Sequence, residues 1–127
     1  HRSVWWIIIM ADHAEDDRDI FVYTGGRAPL HVTHVLIDES VEEIEEHAFD
    51  GCKNLVHVET HDGIRRVGSY AFYRCLSLRG INLKSAAEIC KYAFYFCGNL
   101  ESVEFGDKLE TIRRGAFEGC ISIKNLK

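Results

Sequence analysis

The apolar residues of this chain recur with a period far longer than that of a helix or a strand. The dipeptide Ala-Phe stands at Ala48-Phe49, Ala71-Phe72, Ala93-Phe94 and Ala116-Phe117, at steps of 23, 22 and 23 residues. Three residues after each phenylalanine comes a cysteine (Cys52, Cys75, Cys97, Cys120), and three further on Leu55, Leu78, Leu100 or Ile123. Another three places along stand Val58, Ile81, Val103 and Leu126, with Val35 in the equivalent place ahead of the first Ala-Phe. The columns Val41, Ile64, Ala86, Leu109 and Ile44, Val67, Ile89, Ile112 complete seven that hold register through four units. Self-similarity at such a period is the signature of a stacked repeat architecture.

Within each unit a second, shorter period is visible. Thr33–Ile37, Val56–Thr60, Arg79–Leu83 and Glu101–Phe105 mostly alternate apolar and polar residues, which predicts half-buried strands. Val35, Ile37, Val58, Ile81, Leu83, Val103 and Phe105 form their inward set. One such strand cannot bury its apolar face alone, but units stacked about 4.8 Å apart pair each strand with the next and share one core. After the strand, a segment such as Val67-Gly68-Ser69-Tyr70-Ala71-Phe72 returns the chain, with a small Ala for close approach and a Phe to fill the interior. The expected fold is a β-rich α/β solenoid, with one parallel sheet and short turns or helical segments on the other side.

The domain plan follows. Residues 1–17 read as a leader and 18–30 as a capping strand and turn, from Ile20-Phe21-Val22-Tyr23, Gly25-Gly26 and Pro29. Repeats are expected at 31–54, 55–77, 78–99 and 100–122, with a fifth begun by Asn125-Leu126-Lys127. The apolar run Val4–Met10 is far short of the roughly 20 residues a spanning helix needs. It also makes a poor signal peptide, and Met10-Ala11-Asp12 reads as an ordinary soluble start. No closing segment follows the last unit, so that edge is expected either to continue into further chain or to be covered by another, including by end-to-end self-association.

These residues carry a family resemblance. The pattern Leu-x-x-Val…Ile-x-x-x-Ala-Phe-x-x-Cys-x-x-Leu resembles the BspA-type leucine-rich repeat, and the likeness covers residues 31–127. The resemblance implies a right-handed solenoid whose members act by binding. The third unit departs from it: it is one residue shorter between strand and turn, and Ala86-Ala87 stand where bulkier residues are usual.

Composition, 46% hydrophobic and 28% charged, is that of an ordinary globular domain, and a net charge of −5 argues against a nucleic-acid binder. The charge is uneven. Residues 31–54 hold seven acids against Lys53, so Glu39, Glu42, Glu45 and Glu46 form a candidate acidic docking surface. Glu42-Glu43 and Arg65-Arg66 share columns in adjacent units and should meet as exposed ion pairs that support register.

Four of the five cysteines fall in one repeat column and are expected as small buried packing residues without disulfides. Cys90 lies in the column of Glu45, Gly68 and Arg113 and is expected as an exposed free thiol. Unpaired thiols and the absence of Asn-x-Ser/Thr favour the cytoplasm, with the cell surface, where such repeats are common, as the alternative. His34 and His57 should neighbour each other on the outward sheet face, with Glu59 as a third metal ligand if one were needed; two exposed histidines are the plainer reading. Tyr70, Tyr92, Tyr73 and Tyr95 suit either a binding surface or stacking between units.

No nucleophile elbow, zinc motif, phosphate loop or dinucleotide fingerprint is present. The expectation is a non-catalytic protein-interaction scaffold with no cofactor and no metal, binding a protein partner. Its recognition residues would be His34, Leu36, His57, Glu59, Asn82, Ser102 and Glu104 on the outward face. The alternatives are a spacer or targeting segment of a larger surface protein and, remotely, a metal or redox site using His34, His57 or Cys90.

Overall fold

The computed structural model describes residues 20–126, with side chains to 124; the leader assigned to residues 1–17 lies outside them. The described residues form ten short strands: β1 (Ile20–Tyr23), β2 (His34–Ile37), β3 (Glu43–Ile44), β4 (His57–Glu59), β5 (Arg66–Val67), β6 (Gly80–Leu83), β7 (Glu88–Ile89), β8 (Ser102–Phe105), β9 (Thr111–Ile112) and β10 (Asn125–Leu126). Every pairing is parallel and joins equivalent places in successive units, Val35 to Val58 and Ile81 to Val103 for example. The solenoid is therefore built one rung per repeat.

Two features differ from the sequence reading. No described residue is helical, so the expected helical segments are replaced by turns and two-residue strands. The reason is length: each return path is a chain of tight turns whose hydrogen bonds run to the next rung, as from Phe49 N–H to Ala71 O (2.6 Å) and Phe72 N–H to Ala93 O (2.7 Å). Nor is there a single sheet. Four two-residue strands form a continuous sheet β3-β5-β7-β9, while the other strands form two, β1-β2-β4 and β10-β8-β6, with a seam between β4 and β6.

The core is a set of ladders. Phe49, Phe72 and Phe94 are fully buried, and their rings stack on one another and on Phe117 with centroids 5.1, 4.9 and 5.1 Å apart. Beside them runs the cysteine ladder. Each thiol donates to a carbonyl on the preceding rung, Cys75 to Phe49 (3.2 Å), Cys97 to Phe72 (3.0 Å) and Cys120 to Phe94 (3.0 Å). All five cysteines are free. Burial pushes the Cys52 thiol up to about 11, and Cys75 is raised further for the same main reason. Cys90 corrects the expectation of an exposed thiol, because it is only 1% exposed. Its backbone N–H bonds Val67 O at 2.9 Å, which ties it to the neighbouring rung.

Bulky residues occupy left-handed backbone at His47, Tyr70 and Tyr92 (φ 62, 61 and 58) and at Arg74 and Phe96 (φ 58 and 54). Such conformations cost roughly 1–2 kcal/mol for a residue with a Cβ. Ring stacking offsets part of this: His47 lies on Tyr70 (4.9 Å) and Tyr70 on Tyr92 (5.4 Å), which places these aromatics in contact between rungs. On the second sheet Arg66 pairs with Glu43 and, at 3.1 Å, with Glu88, which also takes Arg113 at 2.5 Å. The ion pairing expected between Glu43 and Arg66 is thus one step of an alternating ladder.

At the front, β1 pairs with β2, and the buried Tyr23 donates its hydroxyl to Gly26 O at 2.7 Å. Gly25 and Gly26 take φ of 135 and 75 to make that turn.

Replacing Phe94 by Ala should lower unfolding free energy by about 3–5 kcal/mol, read by chemical denaturation, because a middle rung cannot collapse around the void. A second outcome follows from the buried thiols. In the native protein a thiol reagent at neutral pH should leave Cys52, Cys75, Cys90 and Cys97 unmodified, and all should react after denaturation.

Candidate functional site

The outward face of the long strands is two side-chain columns wide. Register places His34, His57, Gly80 and Ser102 in one column and Leu36, Glu59, Asn82 and Glu104 in the other. The seven residues singled out from the sequence therefore share one face. His34 and His57 occupy adjacent rungs, and His57 Nε2 lies 3.2 Å from Glu59 Oε1. Desolvation lowers the His57 pKa even though that carboxylate opposes it, so the ring is neutral at neutral pH. Among the described residues no three His, Cys, Asp or Glu side chains gather to hold a metal ion.

The seam between β4 and β6 turns this face into a site. At the other rungs the first strand amide bonds the carbonyl one unit back, Val56 N–H to Thr33 O (2.8 Å) and Glu101 N–H to Arg79 O (2.7 Å). The equivalent bond from Arg79 to Val56 is not made. In its place Thr60 Oγ1 donates to Asn82 O at 2.6 Å, and Ser85 Oγ to Ile64 O at 2.6 Å. A cleft of about 490 Å³ opens there, and His57, Glu59, Asn82, Ser102 and Glu104 all line it. His34 and Leu36, one rung away on β2, do not.

Two sequence features account for the seam. Thr60 stands where the equivalent places carry Ile37, Leu83 and Phe105, so a polar side chain replaces an apolar one in the inward column. The following turn is His61-Asp62-Gly63 in this unit but only Lys84-Ser85 in the next. Unequal turns alone do not part the strands, since Lys84-Ser85 also faces the longer Gly106-Asp107-Lys108 and β6 and β8 stay paired; the seam falls where the unequal turn and Thr60 coincide. The mismatch is taken up on the long-strand side alone, since Ala87 N–H still bonds Arg65 O (2.8 Å) and Cys90 N–H bonds Val67 O (2.9 Å) on the other. A smaller hollow of about 330 Å³ beside Ser85, bounded by Asp62 and Lys108, continues the depression between the turns.

Sequence reasoning missed Thr60, His61, Lys84 and Ser85 as cleft residues. The 22-residue step was the available signal. His61 is 8% exposed; its Nδ1 accepts the Gly63 N–H at 3.0 Å, which leaves the ring proton on Nε2. Nε2 is buried and has no hydrogen-bond partner among the described residues. Charges on the walls are matched: Lys84 lies 3.9 Å from Glu104 and Arg79 lies 3.2 Å from Glu101. The hydroxyls of Thr60 and Ser85 are spent on carbonyls, which suits tying strands together and not nucleophilic attack. The acidic residues Glu39, Glu42, Glu45 and Glu46 are exposed and lie outside the cleft.

Residues 29–127 match the model of the BspA type leucine rich repeat region (6 copies). The chain is similar to a solved leucine-rich repeat protein from Bacteroides ovatus, at 32% identity and TM-score 0.71 over 75% of this chain and 24% of that one. It is also similar to a leucine-rich repeat protein of T. pallidum, at 30% identity and TM-score 0.74 over 84% of this chain and 50% of that one. A leucine rich cell surface protein from Faecalibacterium prausnitzii shares the fold at 24% identity and TM-score 0.65, over 80% of this chain and 34% of that one. The chain thus spans a quarter to a half of the length of these solved proteins. No curated protein matches it. Among the described residues no helix is long and apolar enough to cross a membrane.

Thr60→Val should cost about 0.5–1.5 kcal/mol in chemical denaturation although it restores an apolar column, because the Asn82 carbonyl loses its donor. A gain in stability would show that the hydroxyl does not hold the seam.

Proposed function

Since the chain belongs to the BspA-type leucine-rich repeat family, we propose that it is a non-catalytic binding scaffold whose outward strand face recognises a protein partner. One observation carries this reading. The register of the parallel strands sets His34, Leu36, His57, Glu59, Asn82, Ser102 and Glu104 on a single face, while the repeating apolar columns are consumed by the core. Side chains fixed on paired strands lose little further freedom on binding, which favours recognition by a preformed surface. The exposed acids of the first unit, Glu39, Glu42, Glu45 and Glu46, three of which flank β3 on the other sheet, are a second surface suited to a partner carrying basic residues.

A second reading, a spacer or targeting segment within a larger surface protein, draws on the small share of the solved relatives that the chain spans. The two separate in one experiment. Immobilised wild-type chain and the variant His34→Ala/Leu36→Ser/Glu59→Ala/Glu104→Ala are compared for capture from the native source, after melting shows both folded. The scaffold reading expects a protein retained by the wild type and reduced at least about tenfold with the variant, a loss of roughly 1.4 kcal/mol. Equal retention would remove recognition from this face.

A further inference from the structure

We propose that the hollow between two columns of tyrosines docks a proline-rich segment of a partner protein, with a basic residue one polyproline turn from the proline it seats. The residues of this hollow lie in the turns after β5, β7 and β9, and none belongs to the outward strand face. The inference therefore goes beyond the strand-face reading and does not depend on it.

Tyr70, Tyr73, Tyr92, Tyr95 and Glu118 line a hollow of about 280 Å³. They stand in two columns, Tyr70-Tyr92 and Tyr73-Tyr95-Glu118, with one member per rung. Backbone bonds from Arg74 N–H to Tyr95 O and from Phe96 N–H to Glu118 O, both 2.7 Å, hold the second column in step. Across the columns the rings are inclined, by 59° between Tyr70 and Tyr73 and 81° between Tyr92 and Tyr95. Along the columns they stack, Tyr70 on Tyr92 at 5.4 Å and Tyr73 on Tyr95 at 5.0 Å. Neighbours cover further faces: His47 lies on Tyr70, Phe96 on Tyr95 at 4.5 Å, and Tyr92 fills the place that a Cβ at Gly115 would need. The hollow is therefore walled by ring edges and hydroxyls.

Such walls call for an apolar ligand rich in acceptors. The edge of an aromatic ring carries the positive end of its quadrupole, and a phenol hydroxyl donates a hydrogen bond. None of the four hydroxyls has a hydrogen-bond partner among the described residues. A proline-rich chain matches this chemistry: proline has no N–H, its ring is apolar, and the polyproline helix leaves its carbonyls unbonded. That helix is also preformed, so it loses little freedom on docking in an aromatic-lined groove. Glu118 adds a carboxylate that makes no ion pair among the described residues, and its charge complements a lysine or arginine. Spacing fixes where that residue falls. Two rungs separate Tyr73 from Glu118, roughly 10 Å at the 5.0 Å step of this column. Three residues of polyproline helix rise roughly 9.3 Å, so a basic side chain three places from the proline at Tyr73 reaches Glu118.

The stacking disfavours ligands that need an open ring face. A quaternary ammonium, a sugar or a nucleobase would have to displace a neighbouring ring, and Arg114 already lies over Tyr92 and Arg74 over Phe96. Phe96, 41% exposed beside Tyr95, continues the apolar wall for a further proline. The chain cannot supply the occupant itself. Its one proline is Pro29, so neither residues 1–19 nor a second copy offers a proline-rich segment.

The test is calorimetric titration of the full chain with hexaproline flanked by arginine at both ends. The comparators are hexaproline flanked by glutamate and an arginine-flanked glycine-serine hexamer. The arginine-flanked hexaproline should bind, and each comparator should bind at least about fivefold more weakly. Tyr70→Phe/Tyr73→Phe/Tyr92→Phe/Tyr95→Phe keeps every ring, so it should melt as the wild type does yet bind at least about tenfold more weakly, through the lost hydrogen bonds. The surface change Glu118→Gln should abolish the preference for arginine over glutamate flanks, an effect that altered folding would not produce. Glu59→Ala/Glu104→Ala on the strand face should bind the peptide unchanged, which separates this site from the strand face. The proposal is overturned if no proline peptide binds at up to about 1 mM, if the glycine-serine peptide binds as tightly, or if the tyrosine and Glu118 variants bind as the wild type does. Sedimentation showing a dimer that the four-fold phenylalanine variant loses would also overturn it, by giving the hollow to a second copy.

Discussion

The stacking of Phe49, Phe72, Phe94 and Phe117 is the constraint on which the rest of this solenoid depends. Centroids about 5 Å apart along the whole ladder fix the rise of every rung. Parallel strands need nearly the same rise to hydrogen-bond, so one apolar spacing sets both sheets. The cysteine ladder follows the same spacing, each thiol reaching the carbonyl of the preceding rung. The rings occupy the interior, and burial raises the thiols of Cys52 and Cys75, while the half-buried Cys120 is lowered by its hydrogen bond with Cys97.

A fixed rise makes loop length consequential. The short third unit borders a longer turn on both sides: toward β8 the strands stay paired, and toward β4, where Thr60 replaces an apolar inward residue, they part. The second sheet cannot open there, because Arg66 joins Glu43 to Glu88 and the backbone bonds from Ala87 and Cys90 cross the same boundary. The long-strand face opens instead, with Thr60 and Ser85 replacing backbone bonds by side-chain ones. A one-residue deletion in one repeat, met by a polar inward residue in its neighbour, thus accompanies a polar cleft in the long-strand face.

Most of the fold was legible from residue spacing. The inward set from Val35 to Val103 and the outward columns of His34 and Leu36 followed from a period of two within a period of 23. What escaped had local physical causes. The return path is too short for a helix, which a repeat length alone does not reveal. Cys90 was misplaced because its column mixes Glu45, Gly68 and Arg113, and composition cannot say that its own side chain is covered. The short third unit was visible, but its effect depends on hydrogen bonds between rungs and so required coordinates. His61 could not have been distinguished from the other histidines by sequence, since only its burial sets it apart.

The central claim is that the short third rung opens the face where it meets Thr60. Amide hydrogen exchange of the wild type, and of a variant with one residue inserted between Lys84 and Ser85, tests it most directly. In the wild type the Arg79 amide should exchange at least about tenfold faster than the equivalent amides of Val56 and Glu101, which are hydrogen-bonded. In the insertion variant it should be protected to their level, as the seam closes. Equal protection of all three amides in the wild type, or an Arg79 amide that the insertion leaves unprotected, would contradict this account.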